Sequence, residues 1–405
     1  MLGLSKRAQA MPPSPIRKLA PFAAAAKARG VEIFHLNIGQ PDVPSPEGFW
    51  RAVRETPLDV LEYSPSDGIP ELKTKVAGYY RSIGLEVGPE NVIVTTAGSE
   101  ALSFALLSVL GEGDEVIIPE PLYANYIGFA TAAGVKVQPL RTYLDDDFRL
   151  PGIEAFEAAI TPRTKAILVC NPGNPTGAVY TPDQMEALRD LCLKHSLYLI
   201  GDEVYRDFNY TDEPVLSVLN LKGMEEQAIM IDSVSKRYSL CGARVGFLVT
   251  RNKAVLDAAL RMAQARLSPP TLEQIGVIGA LDTPPSYFHE VREEFRRRRD
   301  TLVRRLRAMS GVKVPQINGA FYATVRLPID DSDRFCQWLL ESFTHEGRTV
   351  MLAPATGFYS TPGAGTDEVR IAYVLREERL EQAMDVLEAA LAVYPGRREA
   401  LGGKV

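Results

Sequence analysis

The stretch Asp232-Ser233-Val234-Ser235-Lys236-Arg237-Tyr238-Ser239-Leu240-Cys241-Gly242-Ala243-Arg244-Val245-Gly246 decides how the rest of the chain is read. One apolar run, Ala228 to Ile231, precedes the lysine and another, Val245 to Val249, follows it. Short continuous apolar runs bounded by turn residues are consistent with buried strands, so Lys236 is expected in a loop joining two core strands. Ser233, Ser235 and Arg244 stand at fixed offsets from it, two hydroxyls and a guanidinium fork of the kind that hold a phosphoester. Gly242 and Gly246 are expected where the backbone turns or approaches a neighbour closely. For Ser-x-x-Lys alone the plainer alternative is a strand connection whose lysine points at solvent.

Outward from this stretch the chain alternates in type. Strands are expected at Val92 to Thr95, Glu115 to Ile118, Lys136 to Pro139, Ala166 to Cys170 and Tyr198 to Ile200, with helices at Ser99 to Leu110, Leu122 to Ala133 and Pro182 to Lys194. Apolar strands alternating with helices predict an α/β domain built on a large, mostly parallel sheet. Upstream, Glu47 to Ile83 holds two helical segments, the second opened by Pro70. The first 33 residues, broken by Pro12, Pro13, Pro15 and Pro21, read as an arm that packs on something else, and Ile33 to Ile38 as a short strand. The composition changes after Pro269-Pro270, Thr283-Pro284-Pro285 punctuates, and a smaller α+β unit is expected beyond a boundary near Pro284. It has a long helix Tyr287 to Met309, strand Ala320 to Val325, helix Ser332 to His345, a loop Leu352 to Gly365, strand Val369 to Tyr373 and a final helix Arg376 to Ala392. The expected division is a large domain over 46–284 and a small one from 1–45 with 285–405.

In an open parallel sheet, ligands sit beyond the carboxyl ends of the strands. Three further motifs fall there. Thr96-Ala97-Gly98-Ser99-Glu100 joins a strand to a helix, where free N–H groups favour an anion. Cys170-Asn171-Pro172-Gly173-Asn174-Pro175-Thr176-Gly177 makes a tight turn, open to cis bonds, that presents the Asn174 amide. Gly201-Asp202-Glu203-Val204-Tyr205 puts a carboxylate at a strand end with a phenol three residues on. A buried carboxylate wants a cationic partner, although by itself this motif reads equally as a helix N-cap.

Taken in order, these motifs resemble the class I/II aminotransferases, fold-type I enzymes that use pyridoxal 5'-phosphate (PLP), and the resemblance runs over essentially the whole chain. It implies that Lys236 is the Schiff-base lysine, that Asp202 faces the cofactor's ring nitrogen, and that Tyr205 and Asn174 bond the ring oxygen. Gly98, Ser99, Ser233, Ser235 and Arg244 resemble the phosphate site, and Tyr123 the aromatic residue stacked on the ring. Tyr63 is similar to a tyrosine that reaches the phosphate of a neighbouring subunit, which implies a homodimer. Arg370, in Val369-Arg370-Ile371-Ala372-Tyr373, resembles the arginine that clamps the substrate α-carboxylate; read on its own it is equally an edge charge. Gly39 is similar to the glycine whose backbone meets that carboxylate. Two departures bear on the substrate side chain. Ser99 stands where aspartate-using relatives place a lysine, and Leu352 to Tyr359 lacks the usual Pro-Gly followed by Phe-Gly. Arg237 and the segment Ser14 to Leu19 offer cations for a second carboxylate.

Composition narrows the alternatives. The chain has 405 residues, 45 basic against 51 acidic, so a nucleic-acid partner is not expected. No run of about 18 apolar residues occurs, and neither a secretory leader nor a membrane span is expected. Four cysteines without C-x-x-C spacing fit a reduced, cytoplasmic setting, and four histidines without ligand spacing argue against a metal. Arg296 to Arg299, interleaved with glutamates, reads as a solvated helix face. The expected partners are an amino acid, first aspartate, and a 2-oxo acid, first 2-oxoglutarate, with alanine or aromatic amino acids next. A β-lyase or decarboxylase of the same fold would use Lys236 and Asp202 alike, a regulatory relative would need a DNA-binding extension, and a nucleotide-binding protein would need G-x-G-x-x-G after the first sheet strand.

Overall fold

The computed structural model describes residues 2–398. In chain order its strands are β1 (Glu32–His35), β2 (Val92–Thr95), β3 (Glu115–Glu120), β4 (Lys136–Arg141), β5 (Thr164–Cys170), β6 (Tyr198–Asp202), β7 (Ala228–Ser233), β8 (Gly246–Thr250), β9 (Tyr322–Arg326), β10 (Arg348–Met351), β11 (Ala353–Pro354) and β12 (Glu368–Ala372). Seven form one sheet in the order β2-β8-β7-β6-β5-β3-β4. Every residue of β3, β7 and β8 is buried, as a sheet covered by helices on both faces requires.

One strand breaks the parallel order: β8 runs antiparallel to both β2 and β7, while the other pairs are parallel. The connection from β7 carries only the one-turn helix Val234–Arg237 and no crossover helix, so the chain turns back beside its own strand. The Lys236 segment therefore stands at the carboxyl ends of β2, β5, β6 and β7, together with the motifs that follow those strands. Gly246, the first residue of β8, makes this possible. A Cβ there would lie 2.3 Å from the Ala97 carbonyl carbon and 2.5 Å from the Gly98 nitrogen, so strand and helix start meet backbone to backbone. Gly242 lies in the expected turn, where the Ala243 N–H donates to the Leu240 carbonyl at 3.1 Å, with open space where a Cβ would stand.

The later part of the chain builds a three-stranded antiparallel sheet, β11-β12-β9, and β10 pairs in parallel with β1. The N-terminal arm is thereby tied to the C-terminal part. The expected elements are present with shifted ends: the first strand stops at His35, the helix after Pro121 starts at Asn125, and the helix from Ser332 ends at Glu341. Helices Ile153–Ala159, Lys253–Arg266 and Thr271–Ala280 were not expected, although Asn252 caps one of them by accepting from the Val255 N–H at 3.0 Å. The stretch from Leu352 also holds a short strand and a one-turn 3₁₀ helix, Ala355–Phe358.

The arginine run corrects another expectation. Arg298 is buried, donating to Asp42 at 2.7 Å and Glu294 at 2.8 Å, and also to the Val374 carbonyl. Arg299 bonds the Ile317 carbonyl and lies over the Tyr210 ring. Only part of this helix face is solvated: Arg298 ties the arm to the C-terminal unit, and Arg299 packs inward on Tyr210 and the Ile317 carbonyl. Among the described residues no helix is long and apolar enough to cross a membrane, and no cluster of three metal-ligating side chains occurs.

Candidate active site

The expected site residues meet, with one exception, in a single cavity of about 490 Å³. Gly98 and Ser99 line it from the start of the helix Ala97–Val109, Tyr123 from the turn after β3, Asn174 from the turn after β5, and Asp202 with Tyr205 from the end of β6. Ser233, Ser235, Lys236 and Arg244 come from the β7–β8 connection, Gly39 from the arm and Arg370 from β12. The exception is Tyr63, which is 79% exposed and does not line its own chain's cavity.

The charges in this cavity lack their counter-ions. Asp202 ends a buried strand and is followed by a turn, so the N-cap alternative does not apply. It accepts a hydrogen bond from the Tyr126 hydroxyl at 2.6 Å, but no cation pairs with it among the described residues. Burial pushes its pKa up to about 6, against the opposing effect of the Tyr126 bond. An uncompensated carboxylate at a cavity floor fits a ligand that brings a cation, such as a protonated ring nitrogen.

Arg370 presents the opposite case. It is 2% exposed, its guanidinium lies over the Tyr322 and Phe358 rings, and it donates to Asn174 Oδ1 at 3.1 Å and to the Asn37 carbonyl at 2.6 Å. No carboxylate pairs with it among the described residues, and its Nε has no partner. Burial holds its pKa below the usual arginine range, the mark of a cation kept in a dry place without an anion. An arginine so placed is no edge charge of the sheet; it is a ready fork for a ligand's carboxylate.

Lys236 lines the same cavity, half-buried, with Nζ donating to the Gly39 carbonyl at 2.8 Å and 3.7 Å from Cys241 Sγ. Gly39 must lack a side chain, because a Cβ would fall 1.7 Å from the Tyr322 hydroxyl. The Tyr205 hydroxyl lies 3.3 Å from Asn174 Nδ2 and 3.0 Å from the Tyr322 hydroxyl, which places an amide and two phenols side by side. Ser233 Oγ and Ser235 Oγ are 2.8 Å apart, and Ser233 Cβ lies 3.8 Å from where a Cβ on Gly98 would stand, at the start of the helix Ala97–Val109. Arg244, in a left-handed conformation (φ 54°), has the Cys241 carbonyl as its one side-chain partner among the described residues. Two hydroxyls, a helix start and an arginine make a cradle for a phosphate.

The structure also settles which spare cations reach the cavity. Arg237 does not: it is buried, pairs with Asp232 and, at 3.2 Å, with Asp207, and lies over Tyr79. Lys18 pairs with Asp333. Arg17 does line the cavity. Tyr126, Tyr322, Cys241 and Ile38 are further lining residues that motif reading passed over. Tyr126 is only three residues from Tyr123, but its partner Asp202 is 76 positions away and nothing local announces the pairing.

Comparison with known proteins agrees with this geometry. Residues 31–387 match the family model for aminotransferase class I and II. The chain is 34% identical to the aspartate/prephenate aminotransferase of Thermus thermophilus, over 95% of this chain and 98% of that one. It is 33% identical to aromatic-amino-acid aminotransferase 2 of Thermococcus litoralis, over 96% and 98%. The crystal structure of aspartate aminotransferase from Thermotoga maritima superimposes with a TM-score of 0.88 at 31% identity, covering 96% of this chain and all of that one. With the family model covering most of its length and these relatives matching it end to end, the chain belongs to the class I and II aminotransferases, enzymes that work with pyridoxal phosphate.

Proposed function

We propose that the enzyme exchanges an amino group between L-aspartate and 2-oxoglutarate, and that the cavity residues take the following parts. The observation that carries the reading is the pair of opposite buried charges, Asp202 and Arg370, each without an ion-pair partner among the described residues, in the cavity that Lys236 also lines. Asp202 holds the cofactor's ring nitrogen protonated. Tyr205 and Asn174 bond its ring oxygen, and Tyr123 covers its face. Gly98, Ser99, Ser233, Ser235 and Arg244 hold its phosphate. Bound there, the cofactor supplies an aldehyde that takes up the amino group and a ring that draws electrons from the substrate α-carbon. Arg370 and the Gly39 backbone fix the α-carboxylate, which orients the Cα–H bond toward Lys236. Lys236 Nζ would take the proton from Cα and hold it for return, acting as base and then as acid.

The wider organisation belongs to the same proposal. The exposure of Tyr63, beside exposed Val60 and Leu61, supports a homodimer in which Tyr63 reaches the phosphate cradle of the partner subunit. The domain division at about residues 45 and 284 would let the unit bearing Arg370 close on the unit bearing Lys236. Aspartate is placed first because similar proteins carry that name; alanine and aromatic amino acids stay as runners-up, the latter supported by the likeness to the aromatic enzyme of Thermococcus litoralis.

The test is the absorbance of the PLP-loaded enzyme during addition of single amino acids without any oxo acid. The expected result is loss of the visible band with aspartate and its return on adding 2-oxoglutarate; Lys236→Ala should lack the enzyme-bound band from the start. Failure of every amino acid to bleach it refutes the half-reaction, and steady release of ammonia and pyruvate without an acceptor moves the assignment to a lyase.

A further inference from the structure

Counting the charged side chains that line the cavity leaves one without a task. They are Arg17, Asp202, Lys236, Arg244 and Arg370. On the reading above, Asp202 faces the ring nitrogen, Lys236 the reacting carbon, Arg244 the phosphate and Arg370 the α-carboxylate. Arg17 remains. Its side chain makes no ion pair or hydrogen bond among the described residues, whereas its neighbour Lys18 is paired with Asp333.

The arm is also built to hold Arg17 at that wall. Ser14 to Lys18 forms a single turn, with the Arg17 and Lys18 N–H groups donating to the Ser14 carbonyl at 3.2 and 3.1 Å. Pro15 seats against Gly357, where a Cβ would come within 2.0 Å of the proline ring. Lys18 pairs with Asp333, which also accepts from Thr356 Oγ1 at 2.6 Å, and Leu19 is buried. The turn is thus anchored on both sides of Arg17 to the segment Ala355–Phe358, whose Phe358 ring lies on Arg370. The other arm residues at the cavity, Ser14 and Ile16, bear no charge, and Ser99 offers only a hydroxyl.

We propose that Arg17 is the specificity residue of this enzyme, binding the side-chain carboxylate of an acidic amino acid or dicarboxylic 2-oxo acid. The inference rests on the transamination reading above and adds the group that selects the substrate class. A guanidinium on the arm supplies the third anion site of the cavity, after those for the phosphate and the α-carboxylate, and its fork suits a carboxylate in a bidentate pair.

The experiment compares kcat/KM for aspartate, glutamate, alanine and phenylalanine in the PLP-loaded wild type, Arg17→Gln, Arg17→Lys and Gly357→Ala. A hydrogen bond between charged groups is typically worth a factor of about 10 to 150. Arg17→Gln should therefore lose about that much on the two acidic substrates, mainly through KM, and far less on alanine and phenylalanine. Arg17→Lys should recover part of the loss. Gly357→Ala displaces Pro15 without removing charge and should lower the acidic substrates selectively, by a smaller factor. An equal loss on all four substrates, or aspartate turnover unchanged in Arg17→Gln, overturns the assignment of Arg17 and leaves transamination standing. Absence of a half-reaction with all four in the wild type would instead overturn the reading on which it rests.

Discussion

Asp202 offers a measurement in which stability and function pull in opposite directions. In the cofactor-free protein its carboxyl is buried with no cation beside it, and its pKa rises from 3.8 to about 6. In the unfolded chain the group ionises near its ordinary value, so between those pH values the folded state holds a proton that the unfolded state has released. Stability therefore falls as pH rises through this window, and the full penalty is present above about pH 6. A shift of roughly two units corresponds to about 3 kcal/mol, of which about half develops between pH 5 and pH 8. Asp202→Asn keeps the shape and does not titrate. Any gain or loss from its altered hydrogen bonds to Tyr126 and Val204 is constant with pH and cancels in the difference.

The assay is urea unfolding of the cofactor-free wild type and Asp202→Asn at pH 5 and pH 8. The stability of the variant relative to wild type should increase by about 1.4 kcal/mol between the two pH values. Adding PLP should invert the ranking at pH 8, because a cation then pairs with the wild-type carboxylate and not with the amide, and the variant should bind PLP more weakly and turn over far more slowly. A relative stability that stays constant with pH, or moves the other way, would refute the claim that Asp202 is an uncompensated buried charge awaiting a ligand cation.

Two further perturbations test neighbouring parts of the argument. Tyr126→Phe removes the 2.6 Å bond that stabilises ionised Asp202, and a hydrogen bond to a charge is worth about 1.5–3 kcal/mol. The pH below which PLP affinity falls should accordingly rise by about one to two units, and an unchanged profile would make Tyr126 merely a core residue. Gly246→Ala forces a Cβ onto the Ala97 and Gly98 backbone, which cannot rotate away as a side chain would. It should cost about 1–3 kcal/mol in unfolding and loosen PLP through the displaced Gly98 and Ser99; wild-type values for both would show that the close approach is dispensable.

Much of this protein is written locally. The buried strands are short apolar runs, and the residues after them are glycines, prolines and asparagines whose conformational preferences act within a few positions, so the large sheet and the placing of Lys236, Asp202, Tyr205 and Asn174 beyond its strands are legible in sequence. The cis bonds before Pro172 and Pro175 fall in the Asn-Pro turn marked in advance. What the motifs do not contain is their partners. Tyr126 finds Asp202 across 76 positions, Arg298 finds Asp42 across 256, and Arg370 finds Asn174 across 196. These pairings exist only after the strands are ordered, because hydrogen bonds and ion pairs act over a few ångströms and sequence separation carries no information about that distance. Arg237 and Arg17 make the point most directly. Both are arginines near expected cavity segments; tertiary packing buries one against Asp232 and Asp207 and leaves the other at the cavity wall with no partner among the described residues. The chemistry of the strand-end motifs was determined by residue type and spacing, and the choice of which charges stay unpaired within it was made by the fold, since only three-dimensional packing brings a counter-ion near or keeps it away.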